Sequence, residues 1–249
     1  MVPDVKGIKT HAEGATVAFL LIHGFAASTD EVTTLSEFLA NLGYASFAVQ
    51  LEGHGTTPEE FKATTWGDWL DSAKRGLEVV RSWKPKHLFI GGVSMGGLLS
   101  LLIAGEEDDI SGIVTLGAAL KIPGILPKLF PILKYFMKWR DIDLEKAQRV
   151  YDVKRFKYDR EPVSAYGELF ALQKLVWNNL QKVTIPALIL QGLEDKTVDP
   201  ASSQIIFDGI SSESKELHMI EDAEHVITCH PTRAVAYPLI QSFTEKIID

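Results

Sequence analysis

Unbroken apolar runs alternate along this chain with segments whose apolar residues recur every three or four positions. That alternation predicts strands and helices taking turns. Residues 16–22 (TVAFLLI) are apolar throughout, as expected of a strand covered on both faces in a parallel sheet. Ser28 and Glu31 have the S-x-x-E spacing of a capping box, which predicts a helix opening there with Val32, Leu35, Leu39 and Leu42 on one face and Gly43 as its stop. A second strand is expected over 44–51. Thr65 with Asp68 then caps a helix that buries Trp69, Ala73, Leu77 and Val80 and ends before Pro85. Leu88, Phe89 and Ile90 form the next strand, followed by Gly91-Gly92-Val93-Ser94-Met95-Gly96-Gly97, a second apolar helix, and a short strand at 113–116.

The rhythm then breaks. From 119 to about 178 no strand is expected, and Pro123, Pro127 and Pro131 recur too often for one long helix. It resumes with a strand at 185–190. Asp199-Pro200-Ala201 then reads as an N-cap with proline at the first helical position, ahead of Ile205, Ile206 and Ile210. A last strand falls at 217–220. The terminal helix begins near Pro231, with Val235, Leu239, Phe243 and Ile247 directed inward and a kink at Pro238. Strands and helices in this order predict an α/β doubly wound sheet, and the interruption predicts an insertion lying across the strand ends as a cap.

Composition adds limits to this picture. A chain of 249 residues with 46% hydrophobic and 23% charged residues is ordinary for a globular α/β protein. One cysteine, Cys229, provides neither a disulfide framework nor a multi-cysteine metal site. With no leader-like or membrane-spanning run, a cytoplasmic location is the expectation. A net charge of −8 speaks against nucleic acid as a partner, because phosphate neutralisation supplies most of that affinity.

The candidate chemistry begins at Ser94. G-x-S-x-G between a strand and a helix is the pattern of a nucleophile elbow, with glycines where neighbouring backbone comes too close for a Cβ. A serine hydroxyl needs a base, and the base needs an orienting acid; on this topology both follow the serine, acid first. That order removes His11, His23, His54 and His87. His218 lies within a strand and His230 at a helix start, whereas His225 occupies the loop after the last strand and is the preferred base. For the acid, the loop after 185–190 offers Glu194, Asp195 and Asp199. Asp199 already serves as a helix cap, and Asp195 is preferred with Glu194 as its rival. Oxyanion donors are expected from the backbone N–H of Met95 and, after the first strand, of Phe25. Nothing in this scheme calls for a metal or cofactor.

Together, HGF at 23–25, GHG at 53–55, GVSMGG at 92–97, QGLEDKTVDP at 191–200 and EHVIT at 224–228 resemble the bacterial carboxylesterase and monoacylglycerol lipase family of the α/β-hydrolase fold. The resemblance covers nearly the whole chain outside the cap. It implies the α/β-hydrolase fold, with core residues 1–118 and 179–249 and a helical cap at 119–178. It also implies Ser94 as nucleophile, Asp195 as acid, His225 as base, and Phe25 and Met95 as oxyanion donors. In the monoacylglycerol lipases an acidic cap residue helps hold the glycerol head group, and the similar segment 158–162 makes Asp159 the candidate here.

Residues 121–160 hold eleven Lys or Arg against five Asp or Glu, in a chain that is acidic as a whole. They also hold an apolar run in which Ile125 and Leu129 are candidate acyl-chain contacts. Positive charge beside apolar residues fits transient contact with an anionic lipid surface, but an apolar face packed on the acyl pocket with its lysines in water is the preferred reading, since solvated basic faces are commonplace. The expected activity is cofactor-independent hydrolysis of carboxylic esters of short to medium acyl chain, monoacylglycerols among them. Acyl transfer, peptide hydrolysis and perhydrolysis are rival chemistries of the same three residues, and a slowly turning-over ligand receptor is the rival from outside catalysis.

Overall fold

The computed structural model describes residues 5–10, 14–124, 130 and 135–249. Among them the strands are β1 (Gly7–Thr10), β2 (Val17–Ile22), β3 (Ala45–Val49), β4 (His87–Val93), β5 (Gly112–Leu116), β6 (Trp139–Asp141), β7 (Arg160–Pro162), β8 (Ala187–Gly192) and β9 (Lys215–Ile220). The helices are α1 (Thr33–Asn41), α2 (Pro58–Lys62), α3 (Trp66–Ser82), α4 (Met95–Ala104), α5 (Leu144–Gln148), α6 (Val163–Trp177), α7 (Ala201–Gly209) and α8 (Arg233–Ile248). Seven strands form one sheet in the order β1-β3-β2-β4-β5-β8-β9. All its neighbours run parallel except β1, which pairs antiparallel with β3.

The alternation of side chains along each strand builds two apolar layers. Val17, Phe19 and Leu21 of β2 pack on one face with Leu35 and Leu39 of α1 and Ile240 and Phe243 of α8. Ala18, Leu20 and Ile22 face the other way, among Trp69 and Leu77 of α3, Leu98 and Leu101 of α4, Leu172 of α6 and Ile206 of α7. A strand buried on both sides must be apolar at every position, which is why 16–22 reads as an unbroken run. This is the doubly wound sheet expected from the chain, with an inserted region between β5 and β8.

Several local expectations are corrected. Ser28 does not cap a helix with Glu31: residues Thr29–Val32 form a single 3-10 turn, the Ser28 hydroxyl donates to Asp30, and α1 starts only at Thr33. Glu31 is drawn into the interior instead, where tertiary partners outcompete the local cap. The S/T-x-x-D/E boxes that do form are Thr57 with Glu60 on α2 and Thr65 with Asp68 on α3. In α8 Phe243 is buried as expected and Leu239 and Ile247 pack half-buried against the core, but Val235 is 56% exposed, and Ala236, Tyr237, Ile240 and Thr244 complete the buried face. The inserted region does contain strands. β6 and β7 pair antiparallel, but at three residues each they are too short to show a period. Edge strand β1 is likewise absent from the sequence reading, because its burial pattern is mostly exposed. Ile125 and Leu129 lie outside the described residues.

Candidate active site

Ser94 occupies the turn from β4 into α4 with φ 54° and ψ −114°, a conformation disfavoured for any side-chain-bearing residue and worth about 1–3 kcal/mol of strain. The flanking glycines allow it. A Cβ at Gly96 would sit 2.2 Å from the carbonyl oxygen of Ile22, and one at Gly92 would sit 2.2 Å from that of Gly96. Both obstacles are backbone and cannot swing aside. The turn is tied down by Ser94 N–H donating to Leu116 O at 2.9 Å and by Ala119 N–H donating to Ser94 O at 3.2 Å.

The three side chains selected by chain order meet in space. His225 Nε2 lies 2.9 Å from Ser94 Oγ, and His225 Nδ1 lies 2.7 Å from Asp195 Oδ2. A carboxylate only accepts, so Nδ1 carries the ring proton and Nε2 offers its lone pair to the serine hydroxyl. Glu194, the rival acid, is exposed. Asp195 is buried, and burial alone would raise its pKa. The charge and hydrogen bond of His225, with the N–H groups of Val198 and Thr197 at 2.8 Å each, outweigh that and hold the carboxyl below its ordinary range. Gln191 Nε2 donates to the same carboxylate at 3.0 Å. His218 and His230 stand apart, bonded to Glu216 and Thr232.

The loop after β2 runs beside the serine: a Cβ at Gly24 would lie 3.3 Å from Ser94 Cβ. Among the described residues neither the Phe25 nor the Met95 N–H is taken by a partner in the chain, as the first residue of α4 dictates for Met95. His23 Nε2 accepts from Leu51 N–H at 3.3 Å, so its Nδ1 carries the proton and donates to Gly24 O at 2.9 Å. Burial lowers the pKa of His23. It holds that of His54 well below the ordinary value, with repulsion from His23 as the second cause.

Asp159 is exposed, and among the described residues no hydrogen bond or ion pair holds its carboxylate. Its neighbour Glu161 is the inward one: buried, hydrogen-bonded by Tyr166, 3.6 Å from Lys157 Nζ and 3.9 Å from Arg140. The Tyr166 ring packs 5.1 Å from that of Phe25. Asp159 precedes β7 and is exposed, whereas Glu161 lies within it and is buried, a difference that a three-residue strand has no period to show in advance. A cavity of about 510 Å³ opens elsewhere, beside β3 and α3, with His54, Glu60, Asp68 and Arg75 in its wall and none of the three clustered residues. Among the described residues no group of three or more His, Cys, Asp or Glu is arranged to hold a metal ion, and no helix is long and apolar enough to cross a membrane.

Comparison with known proteins identifies the family. The family model described as Serine aminopeptidase, S33, matches residues 14–231. A thermostable monoacylglycerol lipase from Bacillus sp. (strain H-257) is 34% identical over 88% of this chain and 86% of its own. A carboxylesterase from Bacillus subtilis (strain 168) is 28% identical over 94% and 95%. Among solved structures, one of the metagenome-derived lipolytic enzymes LipS and LipT superposes with a TM-score of 0.87 at 28% identity, covering 98% of this chain and 99% of that one. The chain therefore belongs to the S33 family of α/β hydrolases and is a serine hydrolase of its esterase and lipase kind.

Proposed function

We propose that this chain hydrolyses carboxylic esters of short to medium acyl length, monoacylglycerols among them, through an acyl-enzyme on Ser94. The observation that carries the reading is the unbroken hydrogen-bond chain from Ser94 Oγ through the His225 ring to Asp195. As Ser94 Oγ bonds to the ester carbonyl carbon, its proton passes to His225 Nε2 and the carbonyl electrons move onto oxygen. The Phe25 and Met95 N–H groups stabilise that oxyanion. Collapse breaks the bond to the alcohol, which leaves with the proton from Nε2. Water then adds to the acyl-enzyme by the same steps and releases the acid. Asp195 keeps the imidazole in the working tautomer without taking its proton.

The monoacylglycerol preference draws support from the lipase relative and from the buried polar group of the inserted region. Glu161, rather than the exposed Asp159, is the acid suited to meet a glycerol hydroxyl, since Lys157 links it to Phe25: Nζ is 3.3 Å from Phe25 O and 3.6 Å from Glu161 Oε1. A hydrolysis panel tests the reading, with monoacylglycerols, simple esters of matched acyl length and an aminoacyl p-nitroanilide. Ester turnover lost in Ser94→Ala is the expected result, and turnover of the anilide alone would replace esterase by peptidase. Glu161→Gln is expected to raise KM for monoacylglycerols about tenfold and to leave KM for p-nitrophenyl butyrate within about twofold. Equal effects on both substrates would remove Glu161 from the glycerol side.

A further inference from the structure

We propose that Glu31 and Arg155 are a positioning pair through which the inserted region sets the orientation of the Phe25 N–H. The inference rests on the reading of that N–H as an oxyanion donor. A peptide unit is planar, so a donor is aimed by whatever holds the carbonyl on its other side. Three successive backbone groups around the donor are held by buried or half-buried side chains. Gly24 N–H donates to Glu31 Oε2 at 3.1 Å, Gly24 O accepts from His23 Nδ1 at 2.9 Å, and Phe25 O accepts from Lys157 Nζ at 3.3 Å. Since Gly24 O and Phe25 N–H share one peptide plane, these contacts leave the donor little freedom to turn.

Glu31 is itself held from outside the core. Its other oxygen lies 2.8 Å from Arg155 Nη1, with side chains 3% and 8% exposed. Arg155 Nη2 donates to Ala147 O at 3.0 Å, and its guanidinium stacks 4.4 Å over the Tyr151 ring, whose hydroxyl accepts from Val226 N–H at 3.3 Å beside His225. Next in the chain, Phe156 N–H donates to Asp30 Oδ2, and Tyr158 Oη donates to Gly53 O at 2.7 Å. Residues 151–158 thus strap the loop that carries Phe25 and the loop that carries His225. A buried ion pair is a poor source of net stability, because desolvation consumes most of its attraction. The pair is better explained by what it orients: the carboxylate is the acceptor for Gly24 N–H, and Arg155 keeps that carboxylate charged and in place. Burial would raise the Glu31 pKa, but Arg155, then Lys157 and His23, hold it below the ordinary range.

Two double variants of the full chain separate positioning from mere support. Glu31→Leu with Arg155→Met leaves no lone buried charge and removes the acceptor for Gly24 N–H. Glu31→Gln with Arg155→Met restores an acceptor. The leucine variant is expected to lose roughly 10-fold to 100-fold in kcat on p-nitrophenyl butyrate, with KM within about twofold and a matching rise in Ki for a trifluoromethyl ketone, whose adduct places an oxyanion at the same site. The glutamine variant is expected to recover most of that loss. Arg155→Lys covers the case in which the leucine variant does not fold: it keeps the charge, loses the contacts to Ala147 and Tyr151, and is expected to lower kcat about threefold to tenfold. The proposal is overturned if folded leucine or lysine variants keep wild-type kcat and Ki, if kcat falls without a change in Ki, or if glutamine fails to rescue. Those results leave Ser94-dependent hydrolysis intact, whereas activity that survives Ser94→Ala would overturn the underlying reading instead.

Discussion

The Ser94 turn and the inserted region are held by different kinds of contact. At the turn, backbone meets backbone: Gly92 and Gly96 pack where no Cβ fits, and Ser94 is bonded to Leu116 and Ala119 through main-chain groups. The inserted region meets the core through side chains, as Arg155 does to Glu31, Lys157 to Phe25 and Tyr158 to Gly53. Its strands β6 and β7 are short, and Phe136, at 81% exposed, and Met137 point into solvent. Main-chain packing tolerates almost no change, whereas side-chain straps can be altered one at a time. Changes at the turn should therefore decide whether the fold and the reaction exist, and changes in the inserted region how well and on what the reaction runs.

The largest effect should come from the catalytic group itself. His225→Ala is expected to lower turnover about a millionfold, and Asp195→Asn about ten-thousandfold by favouring the wrong tautomer; both should keep the wild-type melting profile to within a few degrees. Gly96→Ala should act on the fold instead. Its methyl would meet the Ile22 carbonyl at 2.2 Å, so a loss of about 2–3 kcal/mol in urea unfolding, or failure to accumulate in soluble form, is expected. A variant as stable as wild type would show that the turn has room to give.

Acid should act on the buried histidines of the loops that follow β2 and β3. His23 and His54 are buried with pKa values below the ordinary histidine value, so the unfolded chain binds more protons as pH drops. Stability is then full above about pH 6.5 and declines as pH falls below it. Melting midpoints between pH 8 and 5 would reveal this, and His54→Asn should flatten the slope. The smallest effect should come from the exposed side of the inserted region. Phe136→Ser is expected to change stability by less than about 0.5 kcal/mol. Vesicle co-sedimentation at low salt tests whether Phe136 and neighbouring Lys138 meet a lipid surface. Equal recovery of wild type and variant with anionic vesicles would assign them to solvent alone.

How legible each feature was in the sequence follows from how local its cause is. Ser94 could be read because its glycines stand beside it in the chain, and β2 because burial on both faces demands an apolar residue at every position. Asp195 and His225 were selected by order, since strands β8 and β9 must deliver them after the elbow. Glu31 was misread because S-x-x-E is a local pattern, and a buried arginine 124 residues away claims the carboxylate. Val235 was misplaced because in the first turn of α8 the adjacent Ala236 and Tyr237 take the buried positions, although Leu239, Phe243 and Ile247 further along pack on the core as expected. Asp159 and Glu161 stand two positions apart, so strand alternation does not tell them apart; Asp159 lies just outside β7 and Glu161 inside it, which only the packing of the inserted region decides.

Order along the chain and the apolar period were enough to determine the sheet apart from its edge strand β1, its longer helices and the two residues that join Ser94, because strand burial and turn sterics act over a few positions. The clamp on Gly24 and Phe25, the inward turn of Glu31 and Glu161, and the attachment of the inserted region were decided only in three dimensions. Each depends on which distant side chain shares a desolvated space with a polar group, and a buried charge takes whatever partner the packing brings near.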